Sequence, residues 1–438
     1  MLGVAQQILA GYLPLDSILA QGLRPSFPFV MVVLALLLIP GLRGRREITD
    51  PLKGVDPPPP ALAAASAPPA IARFRRFAFP VFVAGFLAVA VFMLSDLWLF
   101  RLTLGLIFTI TFLSITVLTG YSGQISLAQI SFAGFGAYTT ANLVDRWDVS
   151  VLLAAVIGAA VAAAIGGLVA VPALRLGGIY LTLFTLAFAL MVENVVFPLE
   201  SVSNSLEGLD VPRPYLLGID FSDDKAFFLL IFAVFALVAF AVVFIRRGTT
   251  GRALDALRGS EVAATAIGIN PNRARVTVFA LSAGIAGLGG GLLATMQQTV
   301  NAEDFPALLG IFWVVIVVTL GARTVEGAVN AGMAFVLFPV ILETFGVSLS
   351  YQFILFGVGA MTFARHPEGI VEANKRRSME LIGKLLGRGG EAVPAGAPTP
   401  QVAAAGGASV GVGGADPDGT DAAAGDPGRG SGSREMAE

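Results

Sequence analysis

The chain has 438 residues, of which 55% are hydrophobic and only 13% are charged, against roughly 25% charged residues in average soluble domains. Its 28 lysines and arginines and 30 aspartates and glutamates give a formal net charge of −2, which excludes the strongly basic surface of a nucleic-acid binder. There is no cysteine and one histidine, so disulfides, cysteine nucleophiles and metal sites built from these residues are excluded, and no catalytic site is predicted.

Long apolar blocks in the chain predict membrane-spanning helices. A helix crosses a bilayer with about 20 largely apolar residues, and backbone groups in hydrocarbon must form their hydrogen bonds within helices or a closed barrel. The length of the blocks favours helices, so the predicted fold is all-α, a polytopic transmembrane helical bundle of about ten spans plus one extra N-terminal apolar segment, 27–42. The ten blocks are residues 77–100, 102–120, 126–143, 149–171, 177–197, 226–245, 276–295, 308–321, 327–345 and 348–363.

Basic residues predict which loops face the cytoplasm, because lysine and arginine collect on that side of a membrane. Residues 43–76 and 246–275 are rich in arginine, whereas residues 198–225 are rich in aspartate and glutamate. Ten crossings that start from a cytoplasmic residue 76 place both basic segments inside, the acidic segment outside and the C-terminal tail inside. We therefore expect a multi-pass protein of the cell (inner) membrane, and the side on which the N-terminus lies stays open.

Composition divides the chain into four parts. Residues 1–42 form an N-terminal segment with one extra candidate transmembrane helix, and residues 43–76 form a basic cytoplasmic linker rich in proline and alanine. Residues 77–365 hold the ten apolar blocks. Residues 366–438 form a cytoplasmic juxtamembrane segment and a tail of small and polar residues that cannot bury a core, so the tail is predicted to be disordered.

Polar side chains inside the predicted spans mark a candidate path for a solute, because polar groups in hydrocarbon are costly and usually face protein or water. Ser126 and Gln129 recur at helical spacing in the third block, and Thr182 and Thr185 repeat this pattern in the fifth. Hydroxyls and amides can exchange hydrogen bonds with a passing solute, although helix packing is the more frequent role for any single position. The candidate path residues are Gln124, Ser126, Gln129, Thr182, Thr185 and Asn330.

The segment between the sixth and seventh blocks has the local pattern of two short helices. Residues 252–258 form the first, and a second begins after Ser260, a preferred N-cap residue. Glu261 lies at the end of this helix where the dipole favours an acidic side chain, and Gly268 supplies the C-terminal stop. A short helix with small side chains can dock into a groove on a partner, although a loop that merely joins two spans fits the same residues.

The seventh block is rich in glycine. Glycines in an apolar span let helices pack closely, and we interpret these as a packing surface. They do not form a phosphate-binding loop, because the chain has no Gly-x-x-x-x-Gly-Lys-Ser/Thr pattern. The glycines are Gly284, Gly287, Gly289, Gly290 and Gly291.

Segment 251–270 resembles the coupling segment of ABC-importer permeases, since Glu-Val-Ala-Ala-Thr-Ala-Ile-Gly at 261–268 is similar to the family's Glu-Ala-Ala…Gly pattern. Three other segments resemble the same family and follow in the family's order. Together the four segments are similar to those of the branched-chain amino-acid permeases of the LivM type, over about residues 77–370. The three segments are 120–138, which begins Gly-Tyr-Ser-Gly-Gln, 174–188, which begins Leu-Arg-Leu-Gly-Gly, and Val-Pro-Arg-Pro at 211–214.

The resemblance implies that residues 77–365 are the permease domain of an ATP-binding-cassette (ABC) importer for branched-chain or related amino acids. In such an importer two related permease chains enclose the path, two ATPase subunits dock on the coupling segments, and an external solute-binding protein delivers the solute. The permease has no cofactor of its own, because the ATPase subunits bind ATP and Mg, and it works by alternating access. The resemblance assigns coupling to Arg252, Glu261, Ala263, Ala264 and Gly268.

Two departures from the family leave the solute open: turn 320–327 lacks its Gly-Gly-rich sequence, and outer loop 201–208 lacks its Thr-Gly-Gly cluster. A urea or short-amide permease of the same architecture is one alternative, because such permeases closely resemble this family. An ion-coupled secondary transporter, from a different class, would need a carboxylate near the membrane midplane, and a membrane scaffold without transport is a third. Carboxylates in or beside the blocks lie near predicted span ends, which weakens the ion-coupled alternative; they are Asp96, Glu193, Glu326 and Glu343.

Overall fold

The computed structural model describes residues 83–346 apart from 174–175, 177, 204–207 and 217, together with the isolated positions 27, 31, 81, 354, 357 and 358. These residues belong to one structural unit, Met1–Met379. Apart from those isolated positions, the apolar segments 27–42 and 348–363, the linker 43–76 and the tail 366–438 lie outside the described residues. The predictions made for them stay predictions.

Helices make up most of the described chain, as the predicted all-α membrane fold requires. Six of them, α2 with its π-helical extension, α4, α5 with its extension, α7, α10 and α12, are long and apolar enough to cross a membrane, while α1 and α11 are shorter apolar helices. The prediction of about ten spans stays a prediction. The helices are α1 Val83–Met93, α2 Asp96–Ile115 continued as a π-helix Thr116–Tyr121, α3 Gln129–Trp147, α4 Val151–Ala173, α5 Ile179–Met191 continued as a π-helix Val192–Val196, α6 Glu200–Ser203, α7 Asp224–Arg247, α8 Thr249–Gly259, α9 Glu261–Ala266, α10 Pro271–Gln297, α11 Ala307–Gly321 and α12 Val325–Thr344.

The boundary predicted between the first two spans is wrong. The sequence prediction placed it at Arg101, but the structure breaks the chain before Asp96 and carries Arg101 inside α2. Ser95 occupies the N-cap position with extended backbone and Asp96 lies in the first turn, which suits the positive end of the helix dipole. The guanidinium of Arg101 lies 5.1 Å from the centre of the Trp98 ring, so a cation–π contact accommodates this charge within the helix.

Helix α7 illustrates how the sequence sets both ends of a span. The carboxylate of Asp223 accepts a hydrogen bond from the backbone N–H of Ala226 at 3.3 Å and caps the first turn. Arg246 and Arg247 lie in the last turn, where positive charge complements the dipole. Between these ends, 24 residues span about 36 Å at 1.5 Å per residue, enough to cross a bilayer.

Helix α10 lies at the centre of the packing, because glycines let neighbouring backbones approach it closely. Gly290 lies against the backbone carbonyl of Ala133 in α3, and Gly287 lies against Ala162 in α4. A β-carbon at either glycine would overlap these atoms. The interpretation of the glycines in this span as a helix-packing surface is therefore confirmed.

The two loops of opposite charge lie at opposite ends of the bundle. At one end, strand β1 (Leu209–Asp210) from the acidic loop pairs antiparallel with β4 (Thr299–Val300), which follows α10. Strands β2 (Tyr215–Leu216) and β3 (Ile219–Asp220) form a second antiparallel pair in the same loop. The arginine-rich segment 246–275, which joins the other ends of α7 and α10, is separated from these strands by the lengths of those two helices. Which end faces the cytoplasm stays a prediction.

Candidate functional site

The loop 248–270 folds into two short helices, α8 and α9, which confirms the predicted local structure. The hydroxyl of Ser260 accepts a hydrogen bond from the backbone N–H of Ala263 at 3.3 Å, as expected of an N-cap. Gly268 follows α9 with φ +87°, a conformation that glycine adopts at little cost. Helix α8 begins at Thr249, earlier than the predicted residue 252.

Helix α9 is anchored to α10, and apolar side chains on and beside it are exposed. A carboxylate oxygen of Glu261 lies 2.8 Å from Nη2 of Arg275 at the start of α10, and Ala264 is buried. Val262 on α9 is 80% exposed, and Ile267, the C-cap residue of α9, is 74% exposed. Contiguous exposed apolar side chains are typical of surfaces that bind other proteins. We call these two residues the apolar face of α9.

The structure brings four of the five predicted coupling residues together. Glu261, Ala263, Ala264 and Gly268 lie on α9 or in the turn that follows it. Arg252 lies on the preceding helix, α8, with an exposed side chain. Their role in coupling stays a prediction.

Arg258 in the last turn of α8 was missed by the sequence reasoning. Its Nη1 donates a hydrogen bond to the backbone carbonyl of Gly120, at 2.8 Å, where α2 ends. Burial lowers the pKa of the Arg258 guanidinium and the positive charge of Arg323 lowers it further, whereas Asp255 raises it. The contact joins residues 138 positions apart, so no local pattern in the sequence could reveal it.

Gln129, a predicted path residue, forms a closed hydrogen-bond network in the interior. Its side chain is 1% exposed. Its Oε1 accepts from the hydroxyl of Ser114 in α2, and its Nε2 donates to the hydroxyl of Ser282 in α10, both at 3.1 Å. The Ser282 hydroxyl in turn donates to the backbone carbonyl of Ser114 at 2.7 Å. We call this group the Gln129 network.

The other path residues in this region support a segment of non-helical backbone, residues 123–128. The hydroxyl of Thr182 donates to the carbonyl of Ile125 at 3.3 Å, and the hydroxyl of Thr185 accepts from the N–H of Leu127 at 3.0 Å. Backbone groups outside a helix need such partners wherever water is excluded. The remaining candidates in and near this segment are Gln124, which is half-buried, and Ser126, which is buried and accepts from the N–H of Ala128 at 3.3 Å.

Asn330 stands apart from the other path candidates. It lies on α12 with an exposed side chain, whereas the other five lie at the non-helical segment, at the start of α3 or on α5. The part of the chain that the structure describes contains no cluster of three or more His, Asp or Glu side chains that could hold a metal ion. The role of all six residues in a solute path stays a prediction.

The Gln129 network predicts an unusual order of mutational effects. We expect Ser282→Ala to destabilise the chain by about 1–3 kcal/mol, because it leaves a buried Nε2–H of Gln129 without its acceptor. Gln129→Leu should cost less, although it removes more polar atoms, since the Ser282 hydroxyl still donates to the Ser114 carbonyl and the Ser114 hydroxyl proton, released from Gln129, can donate to the Thr111 carbonyl instead. Thermal unfolding of the two purified variants in the same detergent measures this difference, and the reverse order would contradict it.

Comparison with known proteins gives a consistent result. Residues 97–363 match the model of a family described as the permease component of branched-chain amino acid transport systems. The chain is similar to the high-affinity branched-chain amino acid transport system permease protein LivM of Escherichia coli (strain K12), 29% identical over 317 residues that cover 65% of this chain and 74% of the relative. LivM of Salmonella typhimurium is 28% identical over 311 residues, with 65% and 72% coverage.

A relative that carries a different solute is more distant. The fructose import permease protein FruG of Bifidobacterium longum is 24% identical over 192 residues, which cover 41% of this chain and 53% of FruG. No solved structure matches the chain.

Proposed function

The chain belongs to the family of branched-chain amino acid transport permease components, and from this premise we propose that it forms the membrane path of an ABC importer for branched-chain or related amino acids. Separate ATPase subunits supply the energy, a second, related permease chain completes the path, and an external binding protein delivers the solute. The names of the two LivM relatives support the choice of solute. ATP and Mg belong to the ATPase subunits in this proposal.

The observation that carries the proposal is the apolar face of α9. Val262 and Ile267 are largely exposed, while the Glu261–Arg275 ion pair and the buried side chain of Ala264 anchor α9 to the rest of the structure. A rigid helix that presents apolar side chains fits a groove on a partner. Because the sequence has no phosphate-binding loop, a docked ATPase is the partner that the importer needs.

Alternating access follows from where the loop is attached. Helices α7 and α10 carry the loop 248–270 on their ends, and α10 is also the helix that packs most centrally, through Gly287 and Gly290. When the ATPase subunits close on ATP, they press on α8 and α9 and move the adjoining ends of α7 and α10. The bundle then changes from one packed arrangement to another, which opens the path to the other side.

Uptake by the complete transporter tests this function. We expect proteoliposomes that contain this chain, its partner permease and the ATPase subunits to accumulate labelled leucine only when ATP is enclosed and the external binding protein is present. An uncoupler should leave this uptake unchanged while ATP is held constant, because no ion gradient is used. Vesicles that contain ADP instead of ATP are the matched control.

Each other outcome of the uptake measurement has a distinct meaning. Loss of uptake with the uncoupler at constant ATP would contradict the ABC importer and favour the ion-coupled alternative. ATP-driven uptake of fructose or urea, with none of leucine, would keep the importer but replace the solute. The fructose arm is included because FruG is among the relatives.

A further inference from the structure

Several elements meet around the end of α2, at Gly120. The π-helical turn Thr116–Tyr121 closes α2, and the chain then leaves the helix at Gly123, which has φ +73°. Gly120 has no room for a side chain, because a β-carbon there would overlap the carbonyl oxygen of Ala322 in the turn between α11 and α12. The end of α2 is therefore in close backbone contact with the turn between α11 and α12.

Arg258, in the loop 248–270, reaches this point with its side chain. A helix end leaves carbonyl groups without helical partners and carries partial negative charge. The Arg258 guanidinium supplies both a donor and a positive charge there, through its 2.8 Å hydrogen bond to the carbonyl of Gly120. A β-carbon at Gly123 would lie 3.9 Å from its Nε, so the same side chain also lies beside the start of the non-helical segment.

Beyond Gly120 the chain leads directly to the interior. Residues 123–128 are held by hydroxyls of α5, since Thr182 bonds the carbonyl of Ile125 and Thr185 bonds the N–H of Leu127. The next residue, Gln129, begins α3 and belongs to the network that joins α2, α3 and α10. A displacement at Gly120 can thus be passed along a short stretch of backbone, held by hydrogen bonds, to Gln129 in the interior of the bundle.

We infer that Arg258 is a positioning residue that transmits movement of α8 and α9 to the non-helical segment 123–128. The inference rests on the proposed function, because it assigns to ATPase subunits the force that moves α8. When α8 shifts, the charged hydrogen bond to Gly120 carries the end of α2 and the start of the segment with it. The partners that the segment makes on α5 then change, and Gln124 and Gln129 move relative to the path.

Single-cysteine labelling can follow this movement directly, because the natural chain contains no cysteine. Ile125→Cys places a thiol in the segment at a position that is 46% exposed, and it leaves the backbone partner of Thr182 in place. The complete transporter in nanodiscs is treated with a maleimide, either without nucleotide or trapped with ATP and vanadate. We expect the labelling rate of Ile125→Cys to differ between the two states by about tenfold. This ratio corresponds to a change of about 1.4 kcal/mol in the free energy of exposing the thiol to the reagent.

Adding Arg258→Met should remove this difference between the two states. Leucine moved per ATP hydrolysed should also fall by about tenfold, since the lost hydrogen bond involves a charged group. A purely structural role would lower the amount of folded complex and leave this ratio unchanged. Arg258→Lys should recover part of the response because it keeps the charge. Arg273→Met, which removes an exposed arginine at the start of α10, should behave like Ile125→Cys alone, the parent protein of these variants.

The outcomes separate the inference from the proposed function. If Arg258→Met keeps the parent's labelling response and the parent's ratio of leucine to ATP, the inference is overturned while the importer stands. If Ile125→Cys alone shows no labelling response to nucleotide but still takes up leucine with ATP, the inference is overturned and the importer stands; if it shows neither, the proposed function fails as well. If Arg273→Met removes the response as fully as Arg258→Met does, the specific link through Gly120 is also overturned.

Discussion

Gly290→Ala is expected to prevent the chain from accumulating in folded form. The added β-carbon would overlap the backbone carbonyl of Ala133 in α3, and backbone atoms cannot move aside as a flexible side chain can. We therefore expect a cost above the usual range of about 1–3 kcal/mol for an overpacked core. Size-exclusion chromatography of a fluorescent fusion, extracted in mild detergent, measures the fraction of monodisperse protein.

Gly167→Ala is the matched control for this substitution. It makes the same chemical change in another membrane-spanning helix, α4, but its β-carbon would lie 3.6 Å from the β-carbon of Ala280, an ordinary contact. The control should accumulate like the natural chain. Normal accumulation of both variants would contradict the central position of α10. Loss of both variants would mean that α4 and α10 are packed more tightly than in this structure.

Features that depend on neighbouring residues could be predicted from the sequence. The stop at Gly268 and the cap at Ser260 act within one helical turn, so the residues that decide them stand side by side in the chain. The packing role of the glycines of α10 could also be predicted, because small side chains in a span have few roles other than close packing. The break assigned to Arg101 failed because a single charge was treated as the end of a span, whereas its contact with Trp98 keeps it inside a helix.

The candidate site depends mostly on pairs that are distant in sequence. Thr185 bonds a backbone group 58 residues away, and Arg258 bonds one 138 residues away. The composition of the span could show that Thr185 was an unusual polar residue, but only the folded chain shows that the non-helical backbone around Leu127 needs its hydroxyl. For Arg258 even this signal was absent, since arginine is ordinary in a loop at the end of a span.

The double substitution Val262→Asp with Ile267→Asp is expected to abolish binding of the ATPase subunits to this chain. Burial of each apolar side chain at an interface stabilises binding by about 1.5–3 kcal/mol, so their joint loss weakens association by at least about a hundredfold. The aspartates add the further cost of burying charge without a partner. Co-purification of the ATPase subunits with this chain, followed by titration of the separate components, measures the effect.

The pair Val262→Leu with Ile267→Leu separates apolar character from the identity of the side chains. It keeps the face apolar at the same exposed positions, so we expect ATPase binding to stay within about tenfold of the natural chain, the scale of a rearranged apolar contact. Both pairs should leave the chain folded in the membrane, since neither residue is buried. If the aspartate pair binds ATPase subunits as tightly as the leucine pair, the apolar face of α9 is not the docking surface, and the proposal loses the observation that carries it.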